Sequence, residues 1–342
     1  VTTTPVARAG AASSPPSARA RSRWATGLVG ALLVVLSVVS LFTGTQSLSL
    51  SDLARLDAGQ VHLLAISRVP RTLAAILSGM CVAVAGSVMQ LAVRNRFVSP
   101  TTAGTTQFAL GGLLVMAIWF PSAPLVGKMV SAAVFSVAGS LLFVALLRAL
   151  PRRRTSSDVT VPLVGMMLGG IVEAVTTFFA WRYDLLQSLG SWTVGDLSTV
   201  LAGRYELLWI VAALVVLVYL AADRLTVAGL GRETAVGLGL HYERTIALAL
   251  VIASVTTAIS VVVVGTLPFL GLVVPNVASR LLGDNLRRTL PWVALAGGVL
   301  TLACDIVGRL VRYPYEVSLS VIMGVIGSAG FLIILLRSVD RG

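Results

Sequence analysis

The chain has 342 residues, 56% of them apolar and 12% charged, with a mean hydropathy of +0.93 and a net charge of +12. Soluble domains carry about 25% charged residues, so this composition excludes an ordinary water-soluble globule and points to a bilayer as solvent. Cys81 and Cys304, each inside an apolar stretch, exclude a disulfide framework or cysteine metal motif and read as packing thiols.

Residues 1–23 hold Thr, Ala, Ser, Pro and Arg without an acid, and are expected to form a disordered basic cytoplasmic tail. The run Trp24–Phe42 exceeds the usual 7–15 residues of a leader's apolar core, and no small-residue cleavage motif follows it. It reads as a first span that is retained. A spanning helix needs about 20 mostly apolar residues. That criterion predicts ten spans, near 24–42, 70–92, 103–120, 127–147, 160–181, 206–222, 245–264, 268–282, 290–309 and 319–336. The fold class is therefore all-α and polytopic, one transmembrane domain over residues 24–342.

Ten spans leave both termini on one side. With the N-terminus inside, 18 of the 26 basic residues fall in cytoplasmic segments and 8 outside, and Arg152, Arg153 and Arg154 form the firmest anchor. This accounts for the charge better than nucleic-acid binding does. The basic residues show no helical face and no interleaved aromatic patch. Trp24, Trp119, Trp181, Trp192, Trp209 and Trp292 fall near expected span ends, where interfacial anchoring is the default.

Polar islands interrupt the apolar runs, and polar groups in hydrocarbon are confined to span ends, packing seams and substrate paths. In chain order they are Ser67-Arg68-Val69-Pro70-Arg71-Thr72-Leu73; Gly86, Gln90 and Asn95 through Thr105; Ser191 through Asp196; Gly271 through Asn276; Gly283-Asp284-Asn285; and Cys304 through Arg309, running on to Pro314-Tyr315-Glu316. Gly165 and Gly169 form a small-x-x-x-small seam for close helix packing. Glu173 lies deep in the fifth span, where a carboxylate costs about 2.5–3.5 kcal/mol on insertion scales. It either faces a polar passage or is a protonated packing group.

In this order and spacing the islands resemble the permease subunits of ATP-driven importers for ferric siderophores and cobalamin. The cobalamin type commonly reads Pro-His where this chain has Pro275-Asn276. The loop Phe97–Thr105, with Gly283-Asp284-Asn285 and Pro314-Tyr315-Glu316, is similar to the subgroup serving catechol-type siderophores. The resemblance implies the type II importer permease fold, located in the bacterial cytoplasmic membrane. It further implies a pore shared with a second permease, a different chain in that subgroup, and an extracytoplasmic substrate-binding protein. The same machine carrying cobalamin or haem stands as the alternative. A proton-coupled carrier using Glu173 and Asp305 is a further one.

No Gly-x-x-x-x-Gly-Lys-[Ser/Thr] loop occurs, so no nucleotide hydrolysis is expected on this chain, nor any enzyme activity, cofactor or metal site. His62 and His241 fall in aqueous segments on opposite sides of the membrane. The resemblance implies that ATP-binding cassette subunits dock on the segment near 224–243, through Gly231, Arg232, Glu233, Thr234, Ala235, Gly237 and Gly239. An ordinary amphipathic connector is the plain alternative. Arg68, Arg71 and Arg309 match the arginines that pair with acidic residues of the binding protein. Snorkelling to lipid headgroups is open for Arg68 and Arg71, and an intrahelical pair with Asp305 is open for Arg309.

Overall fold

The computed structural model describes residues 18–43, 64–150, 159–198, 200, 203, 205–312 and 315–339, and among them every regular element is a helix. α1 (Ala18–Phe42) begins inside the expected tail, so residues 18–23 are helical. Residues 1–17, Arg55, His62, the Arg152–Arg154 triplet, Arg204, Pro314 and Arg341 lie outside the described residues.

A π-helical turn, Leu64–Arg68, leads into α2 (Val69–Val93), followed by α3 (Thr105–Trp119), α4 (Leu125–Ala149) and α5 (Thr160–Arg182). The short α6 (Leu186–Thr193) precedes α7 (Leu208–Leu220), which meets α8 (Ala222–Gly229) at a bend of 62°. After α9 (Arg232–Gly237) come α10 (Tyr242–Val263), α11 (Leu270–Leu282), α12 (Leu286–Leu310) and α13 (Leu319–Val339). Among the described residues seven helices are long and apolar enough to cross a bilayer, and the α7–α8 pair makes an eighth. α3 and α11 are shorter apolar helices of 15 and 13 residues, about 20 Å long, and they occupy the remaining two expected runs.

α2 is the central helix. Of its most apolar stretch 83% is buried, against 6% for α1 and 17% for α13. Its sequence explains the position, since small residues let neighbouring backbones approach. A Cβ on Gly79 would lie 2.4 Å from the Gly297 carbonyl of α12, and one on Gly86 would lie 2.0 Å from the Gly271 carbonyl of α11. The Gly165–Gly169 seam does the same for α5: a Cβ on Gly165 would lie 2.2 Å from the Thr102 carbonyl.

Where polar groups enter the core they pair with one another. The Ser140 hydroxyl lies 2.7 Å from that of Ser254 and 3.2 Å from that of Thr105, tying α4 to α10 and α3. Cys81 and Cys304 are free and buried, as packing thiols require. Trp24, Trp119, Trp181 and Trp209 are exposed, as interfacial anchors would be. Trp292 corrects the expectation: it is 8% exposed and packs in the core.

Candidate functional sites at the two ends of the bundle

At the end expected to face outward, the first turn of α2, the last turns of α12 and the segment after it converge on one ion network. The Arg71 guanidinium donates to Asp305 Oδ1 through Nη2 at 2.8 Å and Nε at 3.2 Å. Its Nη1 donates to both oxygens of Glu316, at 2.9 and 3.0 Å. Arg309 reaches back one turn to Asp305 Oδ2 at 2.7 Å. It also donates to the Ser40 and Thr43 carbonyls at 3.1 and 2.7 Å and to the Ser40 hydroxyl at 2.7 Å. Arg68 donates to the Leu41 carbonyl at 2.7 Å.

Two arginines thus hold the last carbonyls of α1, where a helix terminus leaves acceptors unsatisfied and favours positive charge. One face of α1 packs on the core through Ala25, Val29, Leu33 and Leu36, and this clasp ties its end to the bundle.

These contacts give each of the three arginines a partner within the chain. The Arg309 side chain is 5% exposed and Arg68 as a residue is 8% exposed. Each is engaged inside the chain. Arg71 is 15% exposed at the side chain, and Glu316, which sequence reasoning quoted but gave no role, is the most open member at 29%. Asp196, in the connection after α6, forms a turn: its carboxylate accepts from the Ser198 backbone N–H at 2.8 Å and hydroxyl at 2.7 Å.

At the opposite end the islands around Asn95 and Asn276 meet. The Asn276 Nδ2 donates to the Arg96 carbonyl and, one turn back, to the Leu272 carbonyl, both at 2.8 Å. Arg96 pairs with Asp284 at 3.0 Å, and Asp284 also accepts from the Ser279 hydroxyl. Asn285 caps α12 by accepting from the Arg288 N–H at 3.2 Å. A cleft of about 490 Å³ opens between these turns and α8.

Beside that cleft, α8 and α9 carry the expected coupling segment. Gly231 and Gly239 stand at φ +111° and +79°, a backbone region that side chains rarely adopt, and they bracket α9 as two joints. Ala235 is fully buried and seats α9. Arg232, Glu233, Thr234, Gly237 and Gly239 are exposed, and Gly231 is buried.

Sequence reasoning missed the apolar edge of this segment. Leu230, Val236 and Leu238 are 59%, 56% and 67% exposed at this end of the bundle. Arg232 and Arg148 both reach Glu243, at 3.8 and 2.6 Å, and link the segment to α10 and α4. A Cβ on Gly229 would lie 2.9 Å from Leu91 Cγ, so α8 bears directly on the central helix.

Glu173 is exposed on α5 and lines a cleft of about 210 Å³ with Gln107, Thr176, Thr177, Gly190 and Thr193. The carboxyl is therefore not packed within this chain.

A model of the FecCD transport family matches residues 32–337. The petrobactin import system permease protein YclN of Bacillus subtilis is 44% identical over 306 residues, covering 90% of this chain and 96% of that protein. The petrobactin import system permease protein FatD of Bacillus anthracis is 40% identical, covering 92% of both chains. Among solved structures, an inward-facing conformation of a metal-chelate type ABC transporter superposes with a TM-score of 0.78 at 25% identity, over 91% of this chain and 98% of that one.

Proposed function

This chain belongs to the FecCD transport family, and from that premise we propose that it forms half of the pore through which an ATP-driven importer passes a catechol-type ferric siderophore. It is a permease subunit of an importer, a multi-span protein of the cytoplasmic membrane. The substrate class follows from the two petrobactin permeases to which the chain is similar over nearly its whole length.

The observation that carries the mechanism is the exposed apolar edge of the segment around α9. Leu230, Val236 and Leu238 stand exposed together on this connection, where another chain can cover them. A separate ATPase subunit seats there, and the glycine joints at Gly231 and Gly239 let α9 tilt with it. The motion passes through α8 to Leu91 and the central helix. With this end inside, both termini are cytoplasmic.

At the other end a substrate-binding protein meets the rim formed by Arg71 and Glu316, while Arg68 and Arg309 support the surface from beneath. Exposed pairs of this kind contribute about 0–1 kcal/mol each, so they orient the encounter more than they hold it. The open strip of α5 around Glu173 faces the passage shared with the second permease, which is a different chain. The permease breaks no bond in its cargo; its work is alternating access.

Radio-iron uptake from a ferric catechol siderophore, followed beside cobalamin uptake in cells with and without this chain, tests the substrate. Selective loss of iron uptake, restored by the intact chain, is expected. Loss of cobalamin uptake alone would keep the machine and overturn its cargo.

A further inference from the structure

We propose that the groove between the α7–α8 bend and the start of α10 binds an anionic phospholipid of the leaflet on that side. The 62° bend at Ala221 opens a cavity of about 450 Å³. One wall is a single face of α10 with its N-cap, on which His241, Arg244, Thr245, Leu248, Ala249 and Ile252 recur at helical spacing. The other wall carries Val218 and Ala221 before the bend, then Arg224 and Leu225 after it.

Polarity falls along α10, and on the other wall it falls from α8 to α7 across the bend. His241, Arg244 and Arg224 stand at the mouth. Leu248 and Ile252 lie one and two turns beyond Arg244 along α10, and Val218 lies on α7, across the bend from Arg224. Leu248, Leu217 and Leu220 are 53%, 44% and 73% exposed, so apolar surface continues outward from the groove. A basic mouth above an apolar floor fits a phosphate diester with acyl chains.

The neighbouring acids do not occupy the two arginines. Glu243 pairs with Arg148 and Arg232, and Asp223 pairs with Arg287. Among the described residues neither Arg224 nor Arg244 forms an ion pair. Arginine grips phosphate oxygens in pairs, and the N-terminus of the 22-residue α10 adds favourable dipole and N–H groups. Basic pockets between spanning helices take anionic headgroups for these reasons.

The test is native mass spectrometry of the full chain in detergent, titrated with short-chain phosphatidylglycerol, phosphatidylcholine or inorganic phosphate. The glycerol lipid should be retained over the choline lipid by about fivefold for each arginine engaged, and that preference should vanish in Arg224→Gln/Arg244→Gln. Arg224→Lys/Arg244→Lys should keep most of it. Leu248→Trp, which fills the floor without changing charge, should weaken both lipids.

Equal retention of the two lipids by the parent would overturn the proposal, as would an unchanged preference in a folded glutamine variant. If inorganic phosphate bound as tightly as the lipid, the groove would be a soluble-anion site. If the glutamine variant kept its lipid preference but lost a copurifying ATPase, the arginines would serve a protein contact. Either result would overturn the lipid assignment.

Discussion

Replacing Asp305 with alanine will destabilise the folded chain by about 3–5 kcal/mol, enough to remove much of the stability of a typical domain. The reason is specific to its position. Asp305 is 2% exposed and bridges Arg71 and Arg309, whose side chains are 15% and 5% exposed. Without it, a buried guanidinium faces another with no carboxylate between them, and the clasp on the end of α1 loses its counter-charge. Thermal unfolding in detergent, with the level of chain in the membrane, reads the effect. Glu316→Gln is the control. It leaves Arg71 paired with Asp305 and opens a position already 29% exposed, so the expected change is about 0–1 kcal/mol. Equal effects of the two substitutions would show that the network is not a buried one.

The second large effect is expected at the opposite end of the bundle, around α9, without loss of fold. Val236→Glu/Leu238→Glu places two charges on side chains that are 56% and 67% exposed, so the chain alone should tolerate them. Burial of such side chains contributes roughly 1.5–3 kcal/mol each, and their loss should weaken association with the ATPase at least tenfold. Siderophore-dependent iron uptake should fall to background while the permease stays in the membrane. Ala235→Arg is a different experiment. Ala235 is fully buried, and a long cation there would unseat α9 and confound coupling with folding. Normal uptake in the glutamate pair would remove the coupling role from this segment.

The run lengths made ten apolar helices legible, and each has a counterpart in order along the chain. The sixth run, 206–222, matches α7, but the bend at its end and the short α8 beyond it were not legible. α7 and α8 meet at Ala221, with no proline or glycine there to signal a bend, and tertiary packing of Ala222, Leu225 and Ala228 fixes it. Seams written in glycine could be read locally, as Gly165 and Gly169 were, but their partners could not. Gly86 meets Gly271 from far along the chain.

The same limit governed the charges. Asp305 and Arg309 stand at i and i+4, so their pairing was open to reasoning. Arg71 finds Asp305 and Glu316 across 234 and 245 residues, and nothing local announces that. The exposed edge of Leu230, Val236 and Leu238 was hidden for the opposite reason. In a chain this apolar, three more apolar residues carry no signal until the fold leaves them exposed.

The most direct measurement is radio-iron accumulation from a ferric catechol siderophore in proteoliposomes. They would hold this chain with its partner permease, ATPase subunits and binding protein, and be energised either by internal ATP or by a proton gradient alone. Accumulation that requires ATP and binding protein, ignores the proton gradient and disappears in Val236→Glu/Leu238→Glu is the predicted result. Accumulation driven by the proton gradient without ATP would contradict the account and turn attention to Glu173 and Asp305 as proton carriers.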